Sequence, residues 1–300
     1  MSFAPNAAMR RSIVGLPALA AALALVLFQM VPAAGAGIGT LSYPAKDVSV
    51  PNIEPGVTST KVACPSDHPV VTGGGVEITG DESTLNLEVG TTLPSRGLKG
   101  WKVAVNNSSS GDASMHATAI CARGHVTFRQ SKKSVPRVSQ GSLKVACPKG
   151  TSVIGGGVGI TGHTHLQEVA TSRPFDGKDR DHKPDDGWSG RANNGLSTGV
   201  TMTVAAVCAL LGSFTYVKSS ATSVADNTQG SAVANCPVGT SVTGGGESIT
   251  GTTLDTEVGD SFPIDGVDAG TTPDNGWQGT ANNDGTGRSQ TMQVFAICKT

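Results

Sequence analysis

Three copies of one unit make up most of this chain, and that repetition limits its fold more than any other feature. Cys64, Cys147 and Cys236 each stand directly before a proline, and Gly-Gly-Gly follows at Gly73, Gly155 and Gly244. Ile-Thr-Gly recurs at Ile78, Ile160 and Ile249. Glu88, Glu168 and Glu257 each precede a proline by six positions, at Pro94, Pro174 and Pro263. Gly-Trp recurs at Trp101, Trp188 and Trp277, with an Asn-Asn pair five residues on, at Asn106, Asn193 and Asn282. Each copy closes with a methionine six residues before a cysteine: Met115 and Cys121, Met202 and Cys208, Met292 and Cys298. With fainter openings at Gly39, Gly124 and Gly212, the chain divides into β repeats over 37–123, 124–211 and 212–300.

One unit reads as about six short strands. In the first copy they are Leu41–Tyr43, Lys61–Cys64, Val70–Ile78, Leu85–Leu93, Trp101–Asn106 and Met115–Cys121. The last alternates with period two: Met115, Ala117, Ala119 and Cys121 share one face, the mark of a half-buried strand. Trp188, Gly190 and Ala192 likewise fall on one side of their strand. Turn residues separate the runs, and no sustained helical period appears after residue 36. With glycine at 40 residues and much Thr, Ser and Val, the composition is that of a β protein.

Six cysteines, two per unit at matching places, read as disulfides in an exported chain. Six allow fifteen pairings, and the repeat singles out Cys64–Cys121, Cys147–Cys208 and Cys236–Cys298. Closing a loop of that length stabilises by about 4 kcal/mol on the chain-entropy model, a large contribution for a unit with a small core. A zinc site is disfavoured, because no second Cys or His stands at ligand spacing.

Glycine inside a strand marks a bulge, a bend or a close approach to the backbone. With one Trp and one Gly-Gly-Gly per unit, the expectation is that the indole lies across the glycines as a ring on a bare floor. A phosphate cradle is a poor alternative: it leads into a helix with Lys and Ser or Thr following, whereas Val158-Gly159-Ile160 follows here.

Residues 1–36 read as a signal peptide. Arg10-Arg11 precedes an apolar run from Ile13 to Val31, and Ala34-Gly35-Ala36 matches a small-x-small cleavage site. The competing reading is an uncleaved anchor, since the run is near spanning length. Charged residues are 15% of the chain and the net charge is −1, which argues against nucleic acid or anionic membrane as partner. The one basic run, Arg129–Arg137, reads as a solvated loop.

The recurring polar residues are the candidate ligand-binding set: Glu88, Glu168 and Glu257, with Trp101, Trp188 and Trp277 and Asn106, Asn193 and Asn282. A carboxylate and amides near an aromatic ring can hold a sugar. The plainer account is structural: Asn-Asn turns the chain after the Trp strand, and the Glu accepts from loop amides. One Glu per unit is no glycosidase pair. Trp follows Pro by fourteen positions in copies two and three but by seven in the first. In those longer loops Asp176, Asp179 and Asp181, echoed by Asp265 and Asp268, resemble spaced calcium ligands, although the EF-hand spacing and closing Glu are absent. His163 and His165 fall on one strand face in one copy only. No G-x-S-x-G or H-E-x-x-H occurs, so no catalytic residues are assigned.

The pattern C-P-x-G-T-x-V-x-G-G-G … G-W … N … A-[IV]-C, as at Cys147–Gly157 and Cys236–Gly246, resembles repeats of exported proteins of soil bacteria that have no assigned function. The first copy departs from it, with Cys64-Pro-Ser-Asp-His-Pro. The resemblance covers nearly all of the chain after residue 36. It implies secretion and a disulfide-linked β module, and it carries over no catalytic residue.

The expected fold is all-β: three tandem, disulfide-stapled sandwich or barrel repeats, arranged with pseudo-threefold symmetry as in a β-prism or lying in a row. The expected function is a secreted or cell-envelope-associated, non-enzymatic protein that binds a surface, with a cell-surface glycan or cell-wall polymer as partner and no cofactor. Repetition suits avidity. The alternatives are a matrix protein without a ligand, and a secreted hydrolase.

Overall fold

The computed structural model describes residues 37–300 apart from 54–55, 81–84, 163, 180, 211 and 267–269. Residues 1–36, expected to be a signal peptide, together with His163 and Asp268, therefore lie outside the described residues. The first repeat runs through β1 (Leu41–Ser42), β2 (Ala45–Val50), β3 (Val57–Ala63), β4 (Val70–Thr79), β5 (Leu87–Pro94), β6 (Gly100–Asn107) and β7 (Ala113–Ala122). The second comprises β8 (Thr127–Val135), β9 (Ser139–Ala146), β10 (Thr151–Ile160), β11 (Val169–Phe175), β12 (Gly187–Asn194) and β13 (Val200–Leu210). The third comprises β14 (Phe214–Lys218), β15 (Thr222–Val224), β16 (Thr228–Asn235), β17 (Ser241–Ile249), β18 (Thr256–Ile264), β19 (Gly276–Asn283) and β20 (Gln290–Lys299). No α-helix occurs among the described residues.

The strands form three antiparallel sheets, and every sheet is built from two repeats. Sheet A joins β16, β19 and β18 of the third repeat to β4, β7, β1 and β2 of the first. Sheet B joins β3, β6 and β5 of the first to β10, β13 and β8 of the second. Sheet C joins β9, β12 and β11 of the second to β17, β20, β14 and β15 of the third. The arrangement is cyclic: each repeat gives one half-sheet to each neighbour and packs its own two halves face to face. The sandwich form of the expectation holds, and no sheet closes into a barrel. The disulfides are Cys64–Cys121, Cys147–Cys208 and Cys236–Cys298. Each staples the two halves of one repeat, and so also ties one sheet to the next.

The three glycines of each run have three different jobs. Register shifts at Val71/Gly73, Val153/Gly155 and Val242/Gly244 place a bulge just before the first glycine. There the three inner strands converge. A Cβ on Gly73 would strike the Thr243 carbonyl, one on Gly155 the Thr72 carbonyl and one on Gly244 the Ile154 carbonyl. Backbone meets backbone around an axis that leaves no room for side chains. A Cβ on a middle glycine, Gly74, Gly156 or Gly245, would fall inside the indole of Trp101, Trp188 or Trp277. The ring thus replaces the missing strand side chains, as anticipated. The third glycines, Gly75, Gly157 and Gly246, lie on the carbonyls of Ser261, Thr92 and Ser172 in the preceding repeat of the cycle. Those same residues carry the hydroxyls that accept the indole N–H bonds: Trp101 to Thr92 at 2.9 Å, Trp188 to Ser172 at 3.0 Å and Trp277 to Ser261 at 2.9 Å. Tyr43 and Tyr216 clamp neighbouring repeats further, donating to the carbonyls of Val242 and Val153.

Candidate functional site

The residues that recur most faithfully line the inside of the assembly. All three indoles are at most 1% exposed, with their N–H donors bonded, so no aromatic face is offered to a surface ligand. This corrects the placement of Trp101, Trp188 and Trp277 in a sugar site: ring and glycine floor bury each other.

Asn106, Asn193 and Asn282 are buried too, and their amides bridge repeats in a cycle. Asn106 donates to Gln167 O of the second repeat at 3.0 Å. Asn193 donates to Leu254 O and Thr256 O of the third at 3.2 and 3.1 Å. Asn282 donates to Leu85 O and Leu87 O of the first at 3.3 and 3.2 Å. The second member of each pair ties down the loops instead: Asn107, Asn194 and Asn283 each donate to the carbonyls of Val50, Val135 or Val224. The amides close the repeat cycle and do not face solvent.

Glu88, Glu168 and Glu257 lie buried in the same layer, opposite the Asn strand by register. Burial pushes the Glu168 carboxyl up to about 8, against the Asn193 hydrogen bond that lowers it. Glu88 and Glu257 are raised well above the ordinary carboxylate value, by burial first and by neighbouring glutamates second. Repulsion reaches Glu88 from Glu168, and Glu257 from both, so the three carboxyls lie within electrostatic range of one another. Burial favours the neutral form of all three carboxyls. A fourth buried glutamate belongs to one repeat only. Glu247 stands where the others have Val76 and Val158, buried against Gly279, with neither oxygen in a hydrogen bond of ordinary geometry. Burial raises its carboxyl well above the usual value.

In the long loop of the second repeat, carboxylate oxygens of Asp176, Asp179 and Asp181 come within 4.8 Å of one another, and all three residues are exposed. They are engaged locally: Asp179 accepts from Asp181 N, Asp181 from Lys183 N, and the Ser152 hydroxyl bonds Asp185. Asp265 of the third repeat lies just past β18 and joins no such cluster among the described residues. His165 sits in the turn between β10 and β11, not on a strand.

The outer faces tell a different story. Where two repeats meet within a sheet, three equivalent seams form: β18 against β4 in sheet A, β5 against β10 in sheet B, and β11 against β17 in sheet C. Equivalent positions hold Glu77, Gly159 and Ser248 on one strand and Asp260, Thr91 and Thr171 on the other. A third set is Thr280, Ala104 and Arg191, three residues after each Trp. Seam C is plugged. Arg191 crosses it, bonding the Thr171 hydroxyl at 3.2 Å and the Ile249 carbonyl, and the Arg173 guanidinium covers Phe295 at 5.4 Å. Burial lowers both guanidinium values from their ordinary range, and for Arg191 the Arg173 charge adds to the effect. Seam B is filled by Leu93 leaning on Gly159, and a space of about 10 Å³ is left, enough for one water. Seam A, where Thr280 replaces the arginine, is open: about 200 Å³ bordered by Glu77, Asp260, Gln229, Gln278, Thr280 and Phe262. None of these six was a candidate from sequence. The signal was present, but it lay in how the copies differ, not in what they share.

No protein-family model and no curated protein matches the sequence. A solved structure described as "The Triple Jelly Roll Fold and Turret Assembly in an Archaeal Virus" aligns over 87% of this chain and 89% of its own, at 12% identity and a TM-score of 0.18. At that level neither a shared fold nor a shared role follows. Three disulfides mark a chain folded in an oxidising compartment. Among the described residues no helix is long and apolar enough to cross a membrane.

Proposed function

We propose that this is a secreted, non-enzymatic protein that binds an extracellular surface, with glycan as the ligand class. One observation carries the reading: a single stapled frame presents three outer seams of identical backbone register and different side-chain chemistry. A frame whose recurring polar residues are occupied in its own assembly recognises partners through exposed faces and loops. Because the seams differ, the protein carries one site of each kind and not three copies of one. Avidity from three like sites is therefore no part of the proposal. Removal of residues 1–36 as a signal peptide belongs to the same reading.

The test is retention of the full mature chain on insoluble cell-wall polymers and on a glycan array, read beside a disulfide-linked control protein of similar charge. Retention on one polymer class supports the reading. Even, weak retention on all of them matches the control and contradicts it, and favours a matrix role.

A further inference from the structure

We propose that the open seam of sheet A is a sugar subsite that holds one ring of a non-anionic, hydroxyl-rich saccharide. The inference rests on the glycan reading above and gives it an address.

The frame creates the opening. Val76 pairs with Ser261 across the seam, and the next residues out, Glu77 and Asp260, both border the cavity. Two carboxylates facing each other across a strand pair repel. The other seams avoid this with Gly159 and Thr91, or Ser248 and Thr171. The Glu77 carboxylate on this outer face can accept two hydroxyl donors at once. Around it stand complementary groups. Gln278 and Gln229 bring amides to the lining, and the Gln229 nitrogen donates to the Asn282 side-chain oxygen. The Thr280 oxygen accepts from Asp260 N at 2.8 Å, so its hydroxyl proton is available. Phe262 supplies an apolar side where Arg173 stands in seam C, and Ile78 and Leu87 floor the space. A few convergent polar groups over an apolar floor are the usual form of a small-molecule site.

The size and the charge narrow the ligand. About 200 Å³ is below the usual range for drug-sized ligands, which suits a single ring at the end or edge of a glycan. The Glu77 carboxylate disfavours uronic acids and sulfated sugars by repulsion. A metal ion is a weaker fit: among the described residues, groups of three or more ligating side chains occur only in the loop around Asp176–Asp186.

The structure also supplies the blocking variant. In seam C the residue equivalent to Thr280 is Arg191, which fills the space without disturbing the sheet. Thr280→Arg should plug seam A in the same way. The experiment titrates the mature, disulfide-intact chain with cellotriose, chitotriose and trigalacturonic acid by calorimetry. Melting temperature and thiol count are read for every variant. The expected result is binding of a neutral or amino sugar, none of the galacturonate, and a loss of about tenfold or more in Thr280→Arg at unchanged melting temperature. Glu77→Ala, on the outer face, should give a similar loss and decides the matter if Thr280→Arg does not fold. Binding that survives in both variants, or binding of galacturonate alone, overturns the subsite and leaves the glycan reading standing. If the wild type binds none of the three and also fails on the array, both fall. Retention of a cationic peptide, abolished by Glu77→Ala, in place of sugar binding would overturn the subsite as well.

Discussion

Around the axis the three repeats agree almost residue for residue; at the seams they agree in backbone and in little else. Each inner position answers a demand that all three copies share. The first glycine must let three backbones meet, the second must take an indole, and the Asn must bond a carbonyl of the next repeat. A change there breaks a contact made with two other copies. The seam positions face outward, so Glu77, Gly159 and Ser248 can differ while β4, β10 and β17 stay superposable in pairing. The cycle holds the frame constant, and each seam is free to acquire its own chemistry.

This contrast predicts large stability effects inside and small ones outside. Removing one disulfide, for example by Cys147→Ser with Cys208→Ser, should cost about 4 kcal/mol, and the cost should be similar in each repeat. Chemical denaturation of the three double variants measures it. A repeat that loses nothing would break the equivalence of the inner frame. Gly156→Ala should cost about 3 kcal/mol, at the upper end for overpacking, since the methyl meets both the Trp188 ring and the Ala205 carbonyl. A soluble variant of wild-type melting temperature would mean the ring does not lie on the glycine.

The buried carboxyls predict a pH dependence opposite to that of salt-bridged ones. Glu168 is raised from 4.5 to about 8 in the folded state. Below the unfolded value both states are protonated and it has no effect. As pH climbs past 4.5 only the unfolded state loses its proton, so stability falls, and the loss levels off above about 8 once the folded carboxyl ionises too. Glu88, Glu247 and Glu257 shift in the same direction. Melting temperature should therefore decline between pH 5 and 8, and Glu168→Gln should flatten the slope. A wild-type profile that rises over that window would refute the neutral-carboxyl layer. The smallest effect belongs to the outer face. Arg191→Thr should open the β12 side of seam C at a cost of about 2 kcal/mol, since the loss of its hydrogen bonds to Thr171 and Ile249 is partly offset by removing a buried charge that Arg173 repels. A cost of several kcal/mol would show that seams and axis are not energetically separate.

Much of the frame was legible in the residues. Five of the six strands expected in the first repeat match to within two residues at each end, because alternation and turn residues mark them. The strand expected at Lys61–Cys64 begins earlier, at Val57, and β2 (Ala45–Val50) went unseen, because its exposed face carries Lys46 with no clear apolar period. The stapling pairs and the indole on its glycine were readable because each is a contact between residues that recur together. The seam site was not readable, because Glu77 and Asp260 lie in different repeats and approach only when β18 pairs with β4. Glu88, Glu168 and Glu257 looked like ligand groups because a repeated carboxylate shows its chemistry in sequence and not its burial.

The sequence by itself determined the unit: its strands, its disulfide, its tryptophan on bare backbone, and its threefold count. The tertiary structure alone decided that no repeat completes its own sheets. Period two tells a strand that one face is buried and both edges need partners, and it is silent on which strand supplies them. β5 meets its edge requirement with β10 of the next copy, and that choice sends the glutamates to the axis and brings Glu77 beside Asp260 on the outer face.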